Sequence, residues 1–407
     1  MLAILATSTL ATILAAADPA AQSKTVLNVR DFGARADGKS DDTPAIQRAI
    51  KAVSKTGGRV LLPPSESPYL IRGSLIIAAD NVQLYGPGAT VKLADLAADG
   101  RVVDCIIVHG TEKRPVRGVS IYGLTIDGNY WNQRAASNPR GIDSDWATGL
   151  LVEKVTIKRA FVGMTFGLGV THSEARDCKV TQWHNDGFDV SGDGQKGKTH
   201  HVKFIRCRAA GSPNEDKGGL PGRRDDAWEI EDGCTDVTLI DCVAENAGGK
   251  GFGLRNHNHW KFPVNTQNIT FIRCKAMNMT SRGWRVHGDD HRIRITGVRL
   301  VDCRSDSESY FDGNVRDVSI SGSKFTGLVM IGMKADAESY RNRPSAPAWN
   351  VAIENTEFRV LKVNVKPGND EMFDYQSVVS MRNTTVSKLL EVFGDRKHLI
   401  TRDCRLP

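Results

Sequence analysis

Four short segments carry acids and bases at matching positions: NDGFDVSG from Asn185, DDAWEIED from Asp225, GKGFGLRN from Gly249 and SRGWRVHG from Ser281. The first two supply Asp186 and Asp189, then Asp225, Asp226, Glu229 and Glu231. The last two supply Lys250 and Arg255, then Arg282, Arg285 and His287. Carboxylates forced together repel, so one of them holds its proton to higher pH, as a general acid working near neutrality must. Bases on the same strip would neutralise an anionic ligand. An ordinary charged strand face, its opposite charges pairing between neighbours, would also contain such residues. Exposed ion pairs contribute too little, however, for stability alone to gather eleven of them.

These residues can meet only if the segments stack. Aligned, they place Phe188, Trp228, Phe252 and Trp284 in one column, and Val190, Ile230, Leu254 and Val286 in a second column two places on. Successive strand residues point to opposite faces, so both columns are interior and the residue between them faces outward. A second strand recurs between these segments: VKFIRC ending at Cys207, VTLIDC at Cys242, ITFIRC at Cys274 and VRLVDC at Cys303. With Cys178 these cysteines fall 29, 35, 32 and 29 residues apart, the spacing of one stacked interior column rather than of disulfide partners. VSIYGLTIDG from Val119, VSISGSKF from Val318 and VAIENTEF from Val351 continue the pattern in both directions.

A strand-bearing repeat of this length predicts an all-β solenoid, a single-stranded parallel β-helix in which neighbouring coils lie about 4.8 Å apart. Gly and Asn are expected at its corners, where φ must be positive. Each coil buries its apolar face only against its neighbours, so one domain is expected over residues 18–407. The open first coil needs a cover. In SDDTPAIQRAIKAV, Asp42 or Thr43 can cap a helix with Pro44 in its first turn and Ile46, Ala49, Ile50 and Val53 on one face.

The stretch NVRDFGARADGKSDDTPAIQRAI followed by GGRVLLPP resembles the opening of the pectate-lyase-like right-handed β-helix superfamily. That superfamily includes hydrolases, lyases, epimerases and phage depolymerases, so the resemblance bears on fold more than on reaction. Residues 180–290 further resemble the site of the polygalacturonase-type glycoside hydrolases, which carries NTD, DD, GHG and RIK motifs. NDG supplies Asp186, DDAWEI supplies Asp225 and Asp226, GKG puts Lys250 at the histidine position, and WRVHG puts Arg285 and His287 at the arginine and lysine positions. Lys250 and His287 are departures from the family pattern.

The resemblance implies that Asp225 protonates the leaving oxygen while Asp186 and Asp226 activate water on the opposite face, giving inversion. It also implies that Lys250, Arg285 and His287 hold a sugar carboxylate, with Arg255 at the rim and Asp189, Glu229 and Arg282 alongside. The same residues allow β-elimination from a uronate, with Lys250, Arg255 or His287 as base and Ca²⁺ held by Asp186, Asp189, Asp226 and Glu229. Hydrolysis needs no cofactor. A non-catalytic carbohydrate-binding β-helix is the remaining alternative.

Formal charge is +7, from 54 basic and 47 acidic residues, which suits an acidic polysaccharide or oligosaccharide. Nucleic acid is disfavoured, because acids within the basic patch would repel phosphate. Residues 1–17 are apolar and end in Ala15-Ala16-Ala17, a leader pattern that predicts a secreted or periplasmic protein. No later run reaches the roughly 18 apolar residues needed to span a bilayer, so no membrane partner is expected. His257 and His259 in HNHWKF lack a third ligand at zinc-like spacing and read as a loop near the groove. Trp260, and Trp183 with His184, could stack on sugar rings or brace turns. DGQKGKTHH from Asp193 and NEDKGGLPGRR from Asn214 read as groove walls.

Overall fold

A computed structural model of the chain describes residues 25–97, 103–134, 137–194, 198–211, 226–256, 265–288, 294–313, 315–332, 348–365 and 378–407. The leader at 1–17, Asp225, the 214–224 excursion and the 257–262 segment lie outside the described residues. Strands of the VKFIRC type stack in parallel: His200–Ile205 on Thr235–Ile240, then Asn265–Ile272, then Arg294–Val301. Their register aligns Phe204, Leu239, Phe271 and Leu300, all fully buried. This sheet runs from Val26–Asn28 to Leu399–Arg402, and a second parallel sheet carries the acid- and base-bearing segments. Polar–apolar alternation thus becomes the inside and outside of a right-handed parallel β-helix.

All eight cysteines are free thiols. Cys207, Cys242, Cys274 and Cys303 form the expected column, each thiol donating to a carbonyl of the preceding coil at 3.4–3.5 Å. The residue before each of them turns the corner with positive φ. The expectation of Gly and Asn holds at Gly123, Gly322, Asn355 and Asn383, but in these coils Arg206, Asp241, Arg273 and Asp302 take the same turn with φ of 51–55°. Bidentate ion pairs across coils, Arg206 with Asp177 and Arg273 with Asp241 at 2.7 Å, help offset the cost of that conformation.

Helix α1, Thr43–Val53, covers the first coil and buries Ala45, Ile46, Ala49, Ile50 and Val53 against strands Val26–Asn28, Gly58–Leu61 and Leu75–Ile77. Its first free N–H, on Thr43, is accepted by Asp41 at 3.0 Å. Asp42, at the N-cap, instead accepts from the backbone of Arg35 and Ala36 at 2.7 and 3.0 Å, tying the preceding turn. Among the described residues no helix is long and apolar enough to cross a membrane.

In the second sheet, Phe188, Trp228, Phe252 and Trp284 form a continuous interior stack with ring centroids 4.6, 5.1 and 4.9 Å apart. Strict alternation would send the residues two places earlier, Asp186, Asp226, Lys250 and Arg282, inward as well. A bend prevents it. Gly187, Ala227, Gly251 and Gly283 occupy the intervening inward position, where a Cβ on Gly251 would lie 2.9 Å from Ala276 Cβ and 2.7 Å from Gly283 O. Small residues there let two successive positions face the core, which returns the charged column to the outer face.

Candidate active site

The strand pairing sets Asp186 beside Asp226 and Asp189 beside Glu229. Asp186, Asp226 and Glu229 each bring a carboxylate oxygen within 4.8 Å of the other two, and they are 4, 2 and 3% exposed. They belong to the outer face: a Cβ added at outward-facing Gly253 would sit 3.3 Å from Asp226 Oδ2. Burial raises the proton affinity of Asp186 most, with Glu229 and Asp226 adding to it. Asp189 is raised in the same way, by burial and then by Glu231 and Glu229. Repulsion, the cause expected from sequence, is therefore real but secondary to desolvation.

Asp226 differs from Asp186 in having a cation. Burial raises its proton affinity, and Lys250 pulls it back. The Lys250 backbone N–H donates to Asp226 Oδ1 at 2.8 Å, and its ammonium reaches Oδ2. Gly253 provides the space, since a Cβ there would lie 3.2 Å from Lys250 Cδ. Lys250 thus holds the proton affinity of Asp226 below that of Asp186, which has no such cation.

The other bases also meet acids. Arg255 pairs with Glu229 and lies 3.8 Å from Glu231. Arg282 packs over the Tyr310 ring at 4.2 Å and lies 3.3 Å from Glu308. Arg285 and His287 both bond Asp312, which is 0% exposed. Of the residues singled out in sequence, the structure brings Asp186, Asp189, Asp226, Glu229, Lys250 and Arg255 into one patch. Arg282, Arg285 and His287 continue it onto the next coil. Asp225, Trp260, His257 and His259 lie outside the described residues. Trp183 is buried in the core, whereas His184 nests against Tyr130 and Phe161 at 4.7 and 5.5 Å.

Sequence reasoning missed two groups. Tyr310 and Asp312 lie within SYFDG, and Glu308 just before it, one coil below SRGWRVHG. Carrying the alignment one repeat further, with Val286 beside Phe311 and His287 beside Asp312, would have found them. The second group lies above the acids, where Asp143, Thr165 and Asp189 share an outward column. There His109 Nε2 is 2.9 Å from Asp143 and 3.7 Å from Asp145, with Arg140 3.3 Å from Asp143.

Beside that group, burial pushes Asp104 up to about 6 although its carboxylate accepts the Arg140 N–H at 2.7 Å. The native state therefore holds this proton up to about pH 6, whereas the unfolded chain releases it in the ordinary carboxylate range. Stability falls as pH rises between those limits and stays reduced at pH 7. Asp104→Asn, which keeps the acceptor, should raise stability at pH 7 by on the order of 3 kcal/mol and leave it unchanged at pH 3. Urea unfolding at the two pH values measures this.

Residues 26–108 match a family described as rhamnogalacturonase A/epimerase, pectate lyase-like. A stretch of 114 residues, 26% of the chain, is 40% identical to alginate lyase 7 of Azotobacter vinelandii and covers 13% of that protein. Over 181 residues, 40% of the chain, identity to mannuronan C5-epimerase AlgE1 of the same bacterium is 34%, across 12% of its length. The matched region is thus about an eighth of the length of these curated relatives. Among solved structures, the A-module of A. vinelandii mannuronan C-5 epimerase AlgE6 superposes with a TM-score of 0.68 at 17% identity, covering 93% of this chain and 99% of the module. The fold is a right-handed parallel β-helix like that of this module, and the first coils resemble the pectate-lyase-like family.

Proposed function

We propose that this chain is an exported enzyme that modifies a uronate-containing polysaccharide, and that its acid strip hydrolyses the polymer with inversion. The observation that carries the reading is the trio Asp186, Asp226 and Glu229, buried together with raised proton affinity at Asp186 and Asp226. An inverting pair stands roughly 6.5–9.5 Å apart to admit water. Oxygens of Asp186 and Asp226 within 4.8 Å are too close for opposed roles, so these two grip the attacking water together. Asp226, whose proton affinity Lys250 holds below that of Asp186, takes the water's proton, and Asp186 donates a hydrogen bond to the same water. The acid for the leaving oxygen is assigned to Asp225. Arg255, Arg282 and Arg285, each already beside an acid, are the cations that a uronate carboxylate would meet along the strip.

Elimination or C5 epimerisation is the second reading, favoured by the relatives named alginate lyase and mannuronan C5-epimerase. It needs a base at C5 rather than a gripped water, and Ca²⁺ on the same carboxylates would serve it. Incubation with polygalacturonate, alginate, rhamnogalacturonan and neutral glucans separates the readings. Hydrolysis gives reducing ends without ultraviolet-absorbing unsaturated ends, and proton NMR of the first product shows the inverted anomer. Unsaturated ends, or altered C5 configuration without cleavage, would replace the hydrolytic reading. Turnover of none of these polymers would point to a binding protein.

A further inference from the structure

On the first sheet, away from the acid strip, three histidines converge at a corner. Strand Thr171–Arg176 pairs with His200–Ile205 so that Thr171 meets His200, which sets His172 beside His201. Adjacent strand residues ordinarily face opposite ways. His172 and His201, however, take φ of 51° and 56°, which swings His201 round to the side of His200. The two Nδ1 atoms end 2.7 Å apart. The His172 ring stacks on His201 at 4.8 Å and meets His200 edge-on at 5.3 Å. The next coil adds Asp236, also at positive φ, with Oδ2 4.0 Å from His201 Nδ1.

Each of the three imidazoles offers a ring nitrogen within 4.8 Å of the others. Protonated, they would repel one another. Uncharged, His200 and His201 share a hydrogen bond between their Nδ1 atoms, and a metal ion would take the place of the proton between them. His172 and His201 are exposed, so no core packing explains the convergence.

We propose that His172, His200 and His201, with Asp236 as fourth ligand, form a binding site for a divalent transition metal of the zinc class. Imidazole selects zinc, nickel or copper over calcium and magnesium, and a three-nitrogen, one-carboxylate set suits tetrahedral zinc. Ligand atoms on zinc stand about 2.0–2.1 Å from the ion and therefore at most roughly 4.2 Å apart, a closure that exposed rings reach by small rotations. The ion would tie three successive coils together through their side chains as well as their backbones. It owes nothing to the proposed hydrolysis.

The test uses the full chain without a polyhistidine tag, titrated with Zn²⁺ by calorimetry and melted with and without excess Zn²⁺. Wild type should bind zinc and melt a few degrees higher in its presence. His172→Asn/His201→Asn should lose one zinc equivalent and the whole of that shift. Asn accepts positive φ, so the pair should fold, and an unchanged melt in chelator confirms it. If the pair does not fold, His200→Gln replaces it with the same expected loss. Asp236→Asn should bind roughly tenfold more weakly or worse. Asp186→Asn should leave this zinc equivalent in place, which distinguishes the corner from the acid strip. The same stoichiometry and shift in the Asn pair, or no zinc effect on wild type, overturns the proposal.

Discussion

Asp186→Asn should lower turnover by about 10²–10⁴-fold, the range lost when an acid–base group is removed, without destabilising the protein. The two halves of this expectation come from one cause. Asp186 is 4% exposed and surrounded by Glu229, Asp226 and Asp189, so the native state holds its proton above the ordinary carboxylate range. As pH rises through that interval the unfolded chain ionises first, and native stability declines. A neutral amide of the same shape removes the decline, so the variant should equal or exceed wild type in urea at pH 7. Asp226→Asn should lose activity over the same range but gain less stability, because Lys250, only 14% exposed at its side chain, then faces an amide and offsets part of the relief from burial. Reducing-end assays and urea unfolding of both variants check the contrast. Asp186→Asn within tenfold of wild-type turnover would remove this carboxyl from the mechanism.

Asp312→Ala should cost about 3–5 kcal/mol of unfolding free energy, the usual penalty for removing one partner of a buried ion pair. Asp312 has no exposed surface and bonds both Arg285 and His287, each of them 13% exposed at the side chain. An exposed pair such as Lys324 with Glu357, at 54 and 61% exposure, should change stability by under about 1 kcal/mol when broken. The variant should also bind the polymer less tightly, because Arg285 and His287 lose the group that orients them. Urea unfolding and a binding isotherm on an inactive Asp186→Asn background measure the two effects. An unchanged unfolding midpoint would show that Asp312 does not anchor them.

The stacked fold was legible because it writes itself repeatedly. Phe188, Trp228, Phe252 and Trp284 mark one column, the cysteines mark another, and each repetition tests the register set by the last. Helix α1 was legible from its apolar face, although Asp41 rather than Asp42 takes its first N–H, a difference of one residue that depends on where the preceding turn needs a carboxylate. The depth at which Asp186 and Asp226 sit was hidden, because the sequence does not say how far neighbouring side chains cover an outward face. The His109–Asp143–Asp145 group escaped notice because Ile142 and Met164 hold its interior column, with no aromatic ring to mark the register. His172, His200 and His201 were hidden for another reason: they meet only because two of them leave the extended conformation.

The bend at Gly187 lets both the residue before it and the residue after Phe188 reach the outside. Losing one amino acid between Asp186 and Val190 would push carboxylates toward the hydrocarbon interior and turn apolar rings to solvent, since side chains alternate along the strand. Adding a complete coil elsewhere would leave every existing rung in place and merely lengthen the stack. Evolution of this protein should therefore proceed by whole turns and by changes between strands, with single-residue gaps purged from within the rungs.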